Sequence, residues 1–370
     1  MSSFTFGFIG LGLIGGSIAK ALRKEYPDCR IYVTARSEST LQAAVSDRVA
    51  DKAVSMADPA WSECDYIFLC APVETNNTNL RSIASLIGEK TIITDVGSVK
   101  QPILNCITEL GLRSRFIGGH PMAGSERIGY ANSAPSILEN AYYILTPTEE
   151  TEADRIRELK SMVGAIGAIP LVLDAGLHDY VTGAISHLPH VISAALVNLV
   201  RDEDNEDGIM KLVAAGGFKD ITRISSSSPD MWQQICLTNR SNISTLLQHY
   251  IDSLESIKSE IDESSADEIR SFFDSARTYR ESFINSNSGP IKTEYVITVD
   301  IADEPGAIAS IAALLSDHEI NIKNIGINHN REFAQGALRI EFYKKEHTDS
   351  AIRIMQEAGY SIHSKEDTAK

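Results

Sequence analysis

A short apolar run, Phe6-Gly7-Phe8-Ile9, leads into Gly10-Leu11-Gly12-Leu13-Ile14-Gly15 and then into Gly16-Ser17-Ile18-Ala19. A GxGxxG turn that follows a strand and opens a helix marks the start of a βαβ unit. Gly10 makes the tight turn, Gly12 lets a pyrophosphate approach the backbone, and Gly15 lets helix and strand pack closely. The free N–H groups at the helix start carry partial positive charge toward the phosphates. We read Gly10, Gly12, Leu13, Ile14 and Gly15 as cofactor-binding positions. The competing reading is a plain βα turn with no ligand.

The pattern around this turn extends it into a domain. Apolar runs at 5–9, 31–35, 66–70, 91–95, 116–118, 142–145 and 171–173 lack polar alternation, as strands buried on both faces do. Helix-like segments lie between them, at 17–24, 57–61, 77–86 and 153–166. This alternation predicts an α/β domain over 1–175, a Rossmann-like, doubly wound and mostly parallel sheet. Strand runs vanish over 176–288. Ile243, Leu246, Leu247, Tyr250, Ile251, Leu254, Ile257 and Ile261 recur at helical spacing there. That region reads as an all-α domain whose broad apolar stripe suits a homodimer interface. Asn285-Ser286-Asn287-Ser288-Gly289-Pro290 has linker composition. Over 293–370 the pattern is βαββαβ, a small ferredoxin-like unit.

Composition narrows the partners. Among 370 residues, 34 are basic and 50 acidic, for a net charge of −16. Nucleic acid and anionic membranes are poor partners for such a surface. The five cysteines are odd in number and form no CxxC pair, so neither a disulfide framework nor a zinc ribbon is expected. A reducing cytoplasm fits them. No basic, apolar leader opens the chain, and no run approaches the ~20 apolar residues that span a bilayer.

The second strand ends Val33-Thr34-Ala35-Arg36-Ser37. NAD enzymes usually place a carboxylate there for the ribose 2′-hydroxyl. Here Arg36 is positioned to pair with a 2′-phosphate, helped by Ser37 and Ser39, so NADP is favoured over NAD. Ligands on such sheets bind beyond the carboxyl ends of the strands. Three strand ends stand out: Cys70-Ala71-Pro72, Asp95-Val96-Gly97-Ser98-Val99-Lys100, and Gly118-Gly119-His120-Pro121. His120 is expected in a glycine-rich loop facing the cofactor. Ser186-His187-Leu188-Pro189-His190 puts two imidazoles on one helix face, suited to hydrogen bonding a polar substrate. A metal site lacks a third ligand nearby. Lys219 and Arg223, four apart, form a candidate anion clamp. The competing reading is an ordinary ion pair with Asp220.

In this order, these segments resemble the prephenate dehydrogenase family. The resemblance covers roughly residues 5–285 and is carried by Gly119-His120-Pro121-Met122-Ala123-Gly124-Ser125, His187-Leu188-Pro189-His190, Gly217-Phe218-Lys219-Asp220-Ile221-Thr222-Arg223 and Met231-Trp232. It implies oxidative decarboxylation of prephenate to 4-hydroxyphenylpyruvate. It further implies that His120 engages the substrate hydroxyl, that Ser98 supports His120 beside the nicotinamide, and that Arg223 binds a carboxylate. By the same resemblance Ser125, Glu126, His190, Gly216, Asp220 and Trp232 line the substrate pocket. Arogenate dehydrogenase is the nearest alternative, and a non-catalytic nucleotide and amino-acid sensor a more distant one. The last unit resembles an ACT domain through Asp303-Glu304-Pro305-Gly306 and Ile320-Asn321-Ile322. That implies an L-tyrosine effector near Asp303, Gly306, Ile308, Asn321 and Asn324.

Overall fold

The structure is a computed structural model that describes residues 4–124, 127–285, 295–302, 304–328 and 336–363. It divides into two compact units, Met1–Ser259 and Glu260–Lys370.

In the first unit, β1 (Thr5–Ile9) is buried throughout and leads into α1 (Leu13–Glu25). Then come β2 (Arg30–Thr34), α2 (Glu38–Ser46), β3 (Lys52–Ala53), β4 (Tyr66–Leu69), α3 (Val73–Ile83), β5 (Ile92–Asp95) and α4 (Gln101–Glu109). The five strands form a parallel sheet in the order β3-β2-β1-β4-β5. The order reverses between β1 and β4, so the glycine turn after β1 sits at the switch point where such sheets bind ligands. One core cluster packs Phe6, Phe8, Ile18 and Leu22 with Phe68 and Tyr143, and a second packs Trp61, Ile67, Leu69 and Ile93 with Ile103 and Phe116.

A second sheet follows: β6 (Ile117–Pro121), β7 (Tyr142–Pro147), α5 (Ala153–Ala165) and β8 (Ile169–Val172). Its β6 and β7 run antiparallel, so the later strands do not simply extend the parallel sheet. His120 also departs from expectation: it lies inside β6, paired opposite Ile144, rather than in a loop. Pairing with β7 carries the strand through Gly118-Gly119-His120, residues whose own β preference is weak.

The helical part begins with α6 (Ala175–Thr182), capped by Asp174, whose carboxylate accepts from Gly176 and Leu177 N–H. A π-helical turn, Gly183–His187, joins it to α7 (Leu188–Glu203). After it come α8 (Ile209–Val213), α9 (Gly216–Thr222), α10 (Pro229–Thr238) and α11 (Arg240–Asp262). One expectation is corrected here. Ala175–Glu203 is long and apolar enough to cross a membrane by length and composition. A search for unbroken apolar runs misses it because His178, Asp179 and His187 interrupt the run. Those polar groups are buried and hydrogen-bonded in the protein, while Leu177, Ile185 and Leu199 face outward.

The second unit holds α12 (Ala266–Asn285), then β9 (Val296–Ile301), α13 (Ala307–Asp317), β10 (Ile322–Asn328), β11 (Gly336–Phe342), α14 (Lys345–Glu357) and β12 (Ile362–His363). The strands form an antiparallel sheet in the order β10-β11-β9-β12, packed on a core that includes Val299, Ile311, Leu315, Leu338 and Met355.

Candidate active site

The positions expected to hold a cofactor gather around the glycine turn. Gly10 has a φ of 91° and lies so close to the end of β4 that a Cβ would meet Ala71 N at 2.8 Å. A Cβ on Gly15 would meet Cys70 Cβ at 2.8 Å, whereas one on Gly12 would meet nothing within 4 Å. Gly12 therefore borders open space. That space is a cleft of about 620 Å³ lined by Gly10, Gly12, Arg36, Ser37, Cys70, Ala71 and Pro72, among others. Leu13 and Ile14 open α1 at its edge, with no side-chain cap and no acidic residue in the first turn. The helix start thus keeps free N–H donors suited to a phosphate. The residues present fit a dinucleotide. Ser37 caps α2 by accepting from Thr40 N–H and pairs with Ser39 Oγ at 2.8 Å. Asn76, whose role had no local signal in the sequence, is buried and ties Ala71 N–H and the Leu69 and Ala71 carbonyls.

The ends of β5 and β6 bring together the candidate catalytic residues. Gly118 and Gly119 are required where β6 crosses β5, since a Cβ on Gly119 would lie 2.5 Å from Asp95 O. Asp95 accepts from Gly97 N–H at 2.9 Å and Gly119 N–H at 3.2 Å. It also forms a fully buried ion pair with Lys100, whose ammonium donates to Gly119 O at 2.6 Å. Ser98 lies in the bend between β5 and α4, partly exposed. The ring hydrogen bond of His120 runs instead to His178, from Nδ1 to Nε2 at 2.8 Å. His178 in turn meets Asp179 at 2.8 Å. Neither His178 nor Asp179 was singled out in the sequence. Their one visible mark is an ionisable pair inside an otherwise apolar helix.

Removal from water, then the Lys100 charge, then His178 and His187, push the His120 pKa well below 6.5. Burial likewise lowers His187 to about 4. Asn239 donates to His187 Nδ1 at 3.0 Å and to Asp179 O at 2.7 Å. An amide N–H donor on Nδ1 places the neutral ring's proton on Nε2. That Nε2 is buried without a hydrogen-bond partner among the described residues, and so is Trp232 Nε1. His190 stacks on Trp232 with centroids 3.8 Å apart, and His187 meets the same ring edge-on at 6.1 Å. Burial also lowers the His190 pKa, as does the nearby Arg223 charge to a smaller degree. His190 and Trp232 line a cavity of about 540 Å³ with Ile224, Ser225 and Cys236.

Gly216, Lys219 and Asp220 are exposed on α9, which ends at Thr222 before Arg223 opens a tight turn. Ser125, Glu126 and Asp303 lie outside the described residues. Among the described residues no cluster of three metal-ligating side chains occurs. In the second unit, Asn321 lines a cavity of about 380 Å³ with Ser316 and Glu319. Gly306 precedes α13 with a φ of 98°, Ile308 is part-exposed on that helix, and Asn324 is exposed on β10.

Comparison with known proteins decides the family. The prephenate dehydrogenase nucleotide-binding domain matches residues 18–171, and the prephenate dehydrogenase dimerization domain matches 174–275. Prephenate dehydrogenase of Bacillus subtilis is 38% identical over 335 residues, 90% of each chain. The chain belongs to the prephenate dehydrogenase family. Its reaction is the dinucleotide-dependent oxidative decarboxylation of prephenate. The structure also resembles prephenate dehydrogenase of Aquifex aeolicus, solved with hydroxyphenyl propionate and NAD+. That match has a TM-score of 0.72 and 31% identity, and covers 76% of this chain and 99% of that one. Synechocystis arogenate dehydrogenase gives a TM-score of 0.69 and 29% identity, covering 76% and 100%. The apolar outer face of Ala175–Glu203 falls within the region matched to the dimerization domain.

Proposed function

We propose that this family reaction runs here with His120 as the base and with His187 and Trp232 as donors to a substrate carboxylate. The observation that carries the reading is the pair of buried, unpartnered donors at His187 Nε2 and Trp232 Nε1. Leaving such groups unsatisfied costs on the order of 1–3 kcal/mol each, which a bound carboxylate recovers. Arg223 and Lys219 supply positive charge for the substrate dianion, and His190, Gly216, Asp220, Ser125 and Glu126 complete the pocket. When bound, the nicotinamide supplies the hydride acceptor. His120 takes the 4-hydroxyl proton on its ring while C4 gives up its hydrogen as hydride to that acceptor, which leaves a carbonyl at C4, and Ser98 supports the site beside the nicotinamide. Loss of the ring carboxylate as carbon dioxide leaves its electron pair in the ring, which becomes aromatic, and the phenolate recovers the proton from His120.

NADP is the favoured cofactor, supported by Arg36, Ser37 and Thr40 in the cleft wall and by the missing carboxylate after β2. The functional domains are 1–175 for the dinucleotide, 176–288 for substrate and dimerisation, and 293–370 as an ACT regulatory domain. The βαββαβ order and antiparallel sheet of the second unit support the last, with L-tyrosine as effector. A homodimer in the cytoplasm completes the reading. It is supported by the dimerization-domain match and by the five free cysteines.

One set of steady-state assays tests this reading: prephenate and arogenate, each with NAD and NADP, with and without tyrosine, on the native protein and on His120→Asn. We expect prephenate with NADP to give the highest kcat/KM, tyrosine to inhibit, and His120→Asn to lose ~10²–10⁴ in kcat. Near-native turnover by His120→Asn would remove the base. A strong NAD preference would remove the Arg36 role.

A further inference from the structure

His120, His178 and Asp179 form an unbroken chain. His120 Nδ1 lies 2.8 Å from His178 Nε2, with the rings nearly perpendicular at 75°. His178 Nδ1 lies 2.8 Å from Asp179 Oδ1. An ionised carboxylate only accepts, so His178 holds a proton on Nδ1. A neutral His178 then accepts at Nε2, and His120 must donate from its own Nδ1. We propose that His178 and Asp179 are positioning residues that lock His120 in its Nδ1–H tautomer and so present the bare Nε2 lone pair to the substrate hydroxyl. The proposal rests on the reading of His120 as the base and adds what sets its orientation and proton.

The far end of the chain is anchored. Asp179 accepts from the backbone N–H of Lys100 at 2.7 Å and of Gln101 at 2.9 Å. These are free donors at the start of α4, and they hold the carboxylate in place against His178. The His178 carbonyl accepts from Thr182 Oγ1 at 2.9 Å. His178 is 0% exposed and Asp179 2%, so water does not compete for either. The other charged or titratable groups around the chain are Lys100, paired with Asp95, and His187, whose Nδ1 is held by Asn239. When His120 accepts the hydroxyl proton, the substrate O–H bond breaks and an Nε2–H bond forms. The imidazolium charge is then shared through the Nδ1–H bond and countered by Asp179. The same proton returns to the phenolate oxygen after carbon dioxide leaves.

The chain makes a directional forecast for Asp179→Asn. Asp179 Oδ1 faces both Lys100 N–H and His178 while Oδ2 faces Gln101 N–H, so an Asn whose carbonyl stays with Gln101 gives up Lys100 and turns its amide N–H toward His178. His178 then becomes Nε2–H and donates to His120 Nδ1, which forces the His120 proton onto Nε2 and caps the base. ¹⁵N-histidine NMR of the ligand-free protein reads this directly. We expect an unprotonated His120 Nε2 in the native protein and a protonated one in Asp179→Asn. kcat should fall ~10³–10⁴, as it does when a catalytic imidazole is held in the wrong tautomer. KM and dinucleotide affinity should stay within about threefold, since both residues are buried behind His120. His178→Gln, whose carbonyl can still accept from His120, should retain at least ~10-fold more turnover than His178→Phe, which cannot. A protonated His120 Nε2 in the native protein overturns the proposal, as does an unchanged tautomer in Asp179→Asn. Equal turnover in the two His178 variants overturns it as well, even if Asp179→Asn fails to fold. Near-native turnover in His120→Asn instead removes the base itself, while the NMR result still decides the chain.

Discussion

The role proposed for His120 as a base requires an unprotonated imidazole, and the surroundings of the ring secure that. Desolvation is the largest influence, followed by the buried Lys100 ammonium and then by His178 and His187, and all of them lower the pKa. The ring is therefore neutral throughout the physiological range, and its protonation limits the reaction only in acid. The acidic limb of the kcat–pH profile should be centred below pH 6.5, the ordinary histidine value. A limb at or above 6.5 would mean that the Lys100 charge and the burial do not act on this ring. His120 was legible as a residue because Gly118-Gly119-His120-Pro121 is an unusual strand end. Its partner was not legible. His178 lies 58 positions away on a helix, and no local pattern announces a hydrogen bond across that separation.

Elements read best where burial dictates the sequence. The parallel strands β1, β2, β4 and β5 stand within a residue of their expected bounds, because a strand covered on both faces must be apolar throughout. The sequence reading missed α4, although its first N–H groups hold Asp179. Its start, Lys100-Gln101-Pro102, carries no Ser, Thr, Asp or Asn cap to mark it. β6 was read three residues short because its continuation depends on β7, a tertiary partner that propensity cannot supply. The glycine turn was read fully, and its glycines now separate by role. Gly15→Ala puts a Cβ 2.8 Å from both Cys70 Cβ and Gly10 O, so it should cost about 1–3 kcal/mol of stability. Gly12→Ala meets nothing within 4 Å, so it should leave the ligand-free melting temperature unchanged while weakening dinucleotide binding roughly tenfold or more. Thermal melts with and without dinucleotide distinguish the two. Destabilised ligand-free Gly12→Ala protein would contradict the open cleft.

At the scale of the molecule, the first unit's buried histidines tie its stability to pH. His187 is 1% exposed, and burial lowers its pKa from 6.5 to about 4, with the Asp179 charge opposing the shift. In the unfolded chain the same imidazole takes up its proton near pH 6.5. Between about pH 6.5 and 4 the unfolded state thus binds more protons than the folded state, so stability rises with pH across that window and is lost on acidification. At ~1.4 kcal/mol per unit, this one residue accounts for up to roughly 3 kcal/mol by pH 4. The penalty follows from the burial of the ring, whose Nδ1 accepts from Asn239 and so has to be kept from protonating. His187→Gln, which can still accept from Asn239, removes the titration. Denaturant midpoints at pH 7 and pH 4.5 should therefore separate less in His187→Gln than in the native protein, with His120 and His190 keeping the remainder. Equal separation would place the acid sensitivity elsewhere and show that His187 keeps its proton equilibrium on folding.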